Sequence, residues 1–139
     1  MKGLFEIDLD VFHVNGPANA EELLAVEAHF TCSLSPGYRE FMTTYNGGEG
    51  FMGQQYVILW RSAELLDFNH DYEAATYAPG LLLFGSNGGG EGIAFDLRDQ
   101  SMAVVVVPFI GMSCEDARFV AASFETFLLR VTTGNATLI

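Results

Sequence analysis

The strongest periodic signal in the chain lies between Ser35 and Gly50. Tyr38, Phe41, Met42 and Tyr45 recur at i, i+3, i+4 and i+7, which is one face of a helix. Its start and stop are written beside it. Ser35 suits the N-cap, Pro36 suits the first helical position, and Asn46-Gly47-Gly48 suits a left-handed stop. The flanking segments are expected to pack on this aromatic stripe.

Upstream, Gly3 to Val14 alternates, with Phe5, Ile7, Leu9 and Val11 apolar and Glu6, Asp8 and Asp10 charged, which predicts a half-buried strand or extended arm. Asn15-Gly16-Pro17 is a turn. Asn19, with Glu22 three residues on, starts a helix whose face is Leu23, Val26 and Phe30, running to about Thr31. Downstream, Gly47–Gly53 is read as a loop and Tyr56–Trp60 as a strand. Ser62 is expected to cap a helix from Ala63 to about Ala75. Leu81–Phe84 and Ile93–Leu97 make a hairpin around the glycine run 85–92, and Arg98–Ser101 is a turn. Met102–Val107 is a continuous apolar run, suited to a strand buried on both faces. Ser123 caps a last helix carrying Phe124, Phe127, Leu128 and Val131, and Gly134 stops it. This order predicts a single α+β domain over residues 1–139 with a mainly antiparallel sheet flanked by helices.

Composition sharpens the picture through charge. Eighteen acidic residues face six basic ones, a net charge of −12. Nucleic-acid binding is disfavoured, because phosphate contacts need Lys and Arg, and so is an anionic membrane surface. The acidity serves either solubility alone or the attraction of a basic partner. Cys32 and Cys114 lack metal-ligand spacing and read as small buried hydrophobes. The first residues carry acids where a signal peptide needs an apolar run, so a cytoplasmic location is expected.

Candidate chemistry is sparse. The glycine run lacks the Lys-Ser/Thr ending of a P-loop, and Glu91 would repel phosphate. His70-Asp71-Tyr72-Glu73 matches no standard metal spacing and reads as a solvated helix face. Gly111-Met-Ser-Cys-Glu115 departs from a nucleophile elbow at its last position. No catalytic residue, cofactor or metal is expected, and the chain is not read as an enzyme.

The motif order is more specific. Leu34-Ser35-Pro36-Gly37-Tyr38-Arg39-Glu40-Phe41-Met42 with Tyr45-Asn46-Gly47-Gly48 resembles the hallmark helix of the SUKH superfamily, in its Smi/Knr-like branch. Phe84-Gly85-Ser86-Asn87-Gly88-Gly89-Gly90-Glu91 is similar to that family's glycine-rich hairpin, and Ser123-Phe124-Glu125-Thr126-Phe127-Leu128 to its closing helix. The likeness spans about Glu21 to Val131 and departs from the family pattern where Ser35 separates Leu34 from Pro36. It implies one antiparallel sheet flanked by helices and no catalytic residues. It also implies an immunity protein that binds and neutralises a cognate polymorphic toxin, often a nuclease; nucleases tend to be basic because they hold phosphates, so an acidic chain suits a basic toxin partner. The alternative is a general protein-interaction or regulatory module without a toxin; the oligomeric state is left open. Candidate partner-binding residues are Glu49, Glu91 and Asp96 near the two glycine loops, with Trp60, Asp67, Asp71 and Glu73 on or beside the inserted helix. They are chosen as exposed acids plus an aromatic anchor.

Overall fold

The computed structural model describes residues 4–99 and 101–138. Gly3 and Gln100, at which two of the expected segments begin or pass, lie outside them. The order is β1 (Phe12–Val14), α1 (Ala20–Phe30), α2 (Pro36–Tyr45), β2 (Gly48–Met52), β3 (Gln55–Leu59), α3 (Ser62–Asp71) and α4 (Ala74–Tyr77). Then come β4 (Leu81–Ser86), β5 (Glu91–Asp96), β6 (Ala103–Pro108), β7 (Arg118–Ala121) and α5 (Phe124–Thr132). The seven strands form one sheet in sequence order, every neighbouring pair antiparallel. The expected α+β class is the observed one.

The central helix forms where its periodicity puts it. Asn46 ends it in the left-handed conformation (φ 51°), its N–H donating to Met42 O at 2.9 Å. Ser35 differs from expectation: it stands at the N-cap in extended backbone, but its hydroxyl makes no capping bond. Pro36 at the first helical position and the 3.0 Å bond from Arg39 N–H to Ser35 O mark the start instead. Asn19 and Ser123 cap as expected, their side chains accepting from Glu21 N–H at 2.8 Å and Thr126 N–H at 3.1 Å.

Tyr38 and Phe41 meet Phe124 of α5 edge-on at 5.0 and 5.2 Å, and Tyr38 meets Phe84 and Phe95 of the sheet at 5.5 and 4.9 Å. Phe84 and Phe95 stack at 4.1 Å. One face of the sheet is thereby sealed by α2 and α5, each ring pair adding on the order of 1 kcal/mol beyond burial.

Three further expectations fail in whole or in part. The N-terminal arm is a strand only at its end, as β1 (Phe12–Val14); before it come a short 3-10 turn at Leu4–Glu6 and a turn in which Asp8 O accepts from Val11 and Phe12 N–H. Asp8 Oδ1 also accepts from Asp10 N–H, so an acid that looked like the polar half of a strand makes a local turn. The Gly47–Gly53 stretch is mostly strand β2, with only its ends as turns. Its glycines answer a close approach: a Cβ on Gly50 would strike Val11 O and the Phe12 backbone of the neighbouring segment. The helix expected from Ala63 to Ala75 starts one residue earlier and breaks at Tyr72–Glu73, where Glu73 is left-handed (φ 54°). Ser62 is not its cap; its N–H donates to Asn46 Oδ1 at 2.7 Å and its hydroxyl to Glu22 Oε1 at 2.7 Å. Strand β7 is short and carried no signal.

The sheet changes character halfway across. β4, β5 and β6 are buried on both faces along their middles, whereas β2 alternates buried and exposed. The change falls where β3 and β4 separate: they pair only at Ile58–Ser86 and Leu59–Gly85. Beyond that point the buried Asn69 of α3 takes over. Its Oδ1 accepts from Leu83 N–H at 2.9 Å and its Nδ2 donates to Leu83 O at 2.9 Å and Leu65 O at 2.7 Å. One side chain thus replaces a missing strand neighbour. Asn69→Ala leaves both Leu83 groups buried without partners and is expected to lower the unfolding free energy by about 3 kcal/mol. A denaturant titration checks this; a loss below about 1 kcal/mol contradicts it.

Candidate functional site

The bare half of the sheet is built by alternation. On β2, Gly48, Gly50 and Met52 turn inward, so Glu49 and Phe51 point out; on β3, Tyr56 and Ile58 share that outer face. Register places Phe51 opposite Tyr56 and puts His13, Glu49 and Ile58 in one row. The Phe51 and Tyr56 rings meet edge-on at 5.4 Å, and Phe51 remains 49 % exposed. The Tyr56 hydroxyl donates to Glu49 Oε2, and that bond pushes the Tyr56 phenol above its ordinary range.

Two structures frame this face. On one side the β4–β5 turn folds down, with Gly88 against Tyr56 and Ile58. Asn87 holds it: its Oδ1 accepts from Gly89 N–H at 2.8 Å and Glu91 N–H at 3.1 Å, and its Nδ2 donates to Leu138 O at 2.9 Å. The glycine run 85–92 is therefore half strand, its turn being confined to Asn87–Gly90. On the other side stands α3. Beside α3 lies a cleft of about 370 Å³ lined by His13, Glu49, Ile58, Trp60, Arg61, Glu64 and Phe68. Glu64 Oε1 accepts from Arg61 N–H at 2.9 Å and so fixes the first turn of α3.

The seven expected partner residues divide. Glu49 and Trp60 line the cleft together, and Glu91 lines an adjoining depression with Tyr56. Asp67 and Asp71 are exposed on α3 and, with Glu64, fall at i, i+3 and i+7 on one stripe. Glu73 is exposed at the α3–α4 break. Trp60 is a correction: expected as an exposed anchor, it is 6 % exposed. Phe68 packs edge-on against it at 4.8 Å, Tyr72 lies parallel at 6.1 Å, and its N–H extends the ladder to Phe84 O at 3.0 Å. Tyr72, 39 % exposed, stands at the surface above it and stacks on Phe109 at 4.1 Å. Asp96 is at the far end of β5 from Glu91 and is committed to Arg98, which donates through Nε and Nη2, each at 2.9 Å.

Phe51, Tyr56, Phe68, Tyr72 and Glu64 belong to this surface and were not singled out from the sequence. Reading 48–52 as a strand would have turned Glu49 and Phe51 outward beside Tyr56 and Ile58. The cations, meanwhile, are mostly engaged elsewhere. Arg39 pairs with Glu27, Arg98 with Asp96, and Arg130 donates to Val120 O at 2.5 Å and Asn135 O at 2.9 Å. Among the described residues Arg61 is the one Lys or Arg lining the cleft, against Glu49 and Glu64, with Glu91 in the adjoining depression and Asp67, Asp71 and Glu73 exposed on or just past α3. No cluster of three or more potential metal-ligating side chains occurs among the described residues. Among them, too, no helix is long and apolar enough to cross a membrane.

Residues 17–130 match the model of the SMI1 / KNR4 family (SUKH-1). No curated protein matches the chain.

The Arg98 guanidinium holds the Asp96 carboxyl below its usual range. A depressed folded-state value means the pair contributes stability above the ordinary carboxylate range of about 4 and loses it as pH falls through the folded value. Arg98→Gln is expected to return Asp96 toward that range and to flatten this acid limb of the stability profile. Carboxyl NMR titration checks it; an unmoved Asp96 midpoint contradicts the assignment.

Proposed function

The chain belongs to the SMI1 / KNR4 family (SUKH-1), and from that membership we propose that it is a non-enzymatic immunity-type protein that binds and neutralises a cognate toxin of a polymorphic toxin system in the cytoplasm. The target is a basic domain, and a nuclease fits best because enzymes that hold phosphates concentrate Lys and Arg. The observation that carries this reading is the outer face of β1–β3. It combines exposed aromatic rings with carboxylates that the chain's own arginines leave largely unneutralised.

The physical logic is occlusion. A toxin whose basic surface contacts phosphates is disabled when an acidic protein covers that surface. Burial of Phe51, Tyr56 and Tyr72 supplies affinity, while the −12 net charge speeds encounter. No bond in the toxin needs to be broken, so binding alone suffices.

Co-expression with the toxin domain encoded beside this gene is expected to restore growth. The purified pair is expected to associate about tenfold or more slower at 0.5 M salt than at 0.05 M, with a smaller change in dissociation rate. A viable neighbour that is not a toxin, or a toxic one against which the chain gives no protection, would refute the proposal and favour a general interaction module.

A further inference from the structure

We propose that the cleft between β3 and α3 receives a lysine or arginine side chain of the basic partner, making it the specificity-determining pocket of the interface. This rests on the toxin-binding reading and adds to it the place and chemistry of recognition. The cleft has the composition that a long cationic side chain needs. Its lining is mixed: Ile58, Trp60 and Phe68 give it apolar contacts for a methylene stem among more polar neighbours. Two carboxylates, Glu49 from the sheet and Glu64 from the helix, stand along it. Phe68, half-buried and lining the cleft, adds an aromatic edge to the wall, with the buried Trp60 packed behind it.

The shape is held rather than improvised. Glu49 is oriented by the Tyr56 hydroxyl and Glu64 by the Arg61 N–H. Trp60 is wedged between Phe68 and Tyr72, and its backbone is tied to β4 through Phe84 O. Ser62, bonded to Asn46 and Glu22, locks the start of α3 against α1 and the end of α2. A preorganised pocket of this kind loses little side-chain entropy on binding.

Arg61 lines the same cleft and is exposed. It is a local cation that competes with an incoming one for Glu49 and Glu64. Removing its charge therefore strengthens binding, a sign opposite to the usual effect of trimming an interface residue. A purely acidic, unstructured attraction would also respond to Arg61, but it would not confine the guest to the cleft.

The test is an NMR titration of the isotopically labelled chain with a blocked pentapeptide Gly-Ser-Arg-Ser-Gly, beside the same peptide with citrulline in place of arginine. Citrulline keeps the shape and removes the charge. The expected result is saturable shifts at His13, Glu49, the Trp60 indole and Phe68 with the arginine peptide only. Glu49→Gln with Glu64→Gln, which retains the hydrogen bond to Arg61 N–H, is expected to weaken binding about tenfold, equal to about 1.4 kcal/mol. Arg61→Gln is expected to tighten it. Equal shifts with citrulline, shifts scattered over other acidic faces, no shifts at all, or an unchanged affinity in the doubly substituted protein would overturn the proposal; Glu49→Gln alone, on an exposed strand position, serves if the double variant folds poorly. Growth protection separates the two ideas. A doubly substituted protein that still protects as well as the parent sinks the pocket and leaves the toxin-binding reading standing, whereas a parent that does not protect sinks that reading.

Discussion

Asn69 reaches from α3 to both backbone groups of Leu83 at the point where β3 and β4 part. Much of the molecule's asymmetry depends on that contact. A continuous sheet would keep β3 and β4 paired along their length and leave no place for a helix between them. Here the ladder is handed from backbone to side chain, and α3 sits at the seam without leaving buried amides unpaired. The strands beyond the seam, β4 to β6, are covered on both faces. Phe109 lies over Gly92, where any Cβ would collide with its ring, and Tyr72 stacks on Phe109. Cys114 ties the β6–β7 connection to Pro79 O at 3.2 Å. The strands before the seam keep one face in water.

The inner face supplies the opposing constraint. Tyr38 is fully buried among Phe84, Phe95 and Phe124, and its hydroxyl has no partner among the described residues. Burial pushes its phenol far above the ordinary range, so it is a neutral member of the core. With α2 and α5 fixed on that side, the outer face of β1–β3 is free to serve recognition. Its exposed Phe51 and Tyr56 rings touch each other beside Glu49, the kind of aromatic and acidic mix that suits a protein-binding surface.

What the sequence made legible was whatever rested on strong local rules. The α2 stripe, the Asn19 and Ser123 caps, the β4–β5 hairpin and the doubly buried β6 all follow from period, capping and run length. What it concealed depended on distant partners. Gly48 and Gly50 looked like loop residues because their reason, the backbone of residues 11–13, is some forty positions away. Trp60 looked like an anchor because nothing local reveals that Phe68 and Tyr72 will cover it. Asp96 looked available because its commitment to Arg98 is a matter of geometry. Glu49 and Glu91 were chosen for lying near glycine loops, and the fold brings them to either side of Tyr56.

Charge then separates a surface from a site. Among the described residues the arginines mostly bind the chain's own carboxylates and carbonyls, and Glu49 and Glu64 line a cleft beside the bare half of the sheet while other acids are spread over the surface. Carboxyl footprinting of the chain, alone and in complex with the toxin domain encoded beside it, tests this account most directly. Glu49, Glu64, Asp67, Asp71 and Glu91 are predicted to lose labelling in the complex, while the exposed Glu21, Glu40 and Glu115 keep theirs. Protection of Glu21, Glu40 or Glu115 with the β2–α3 acids still labelled would place the partner elsewhere and contradict it.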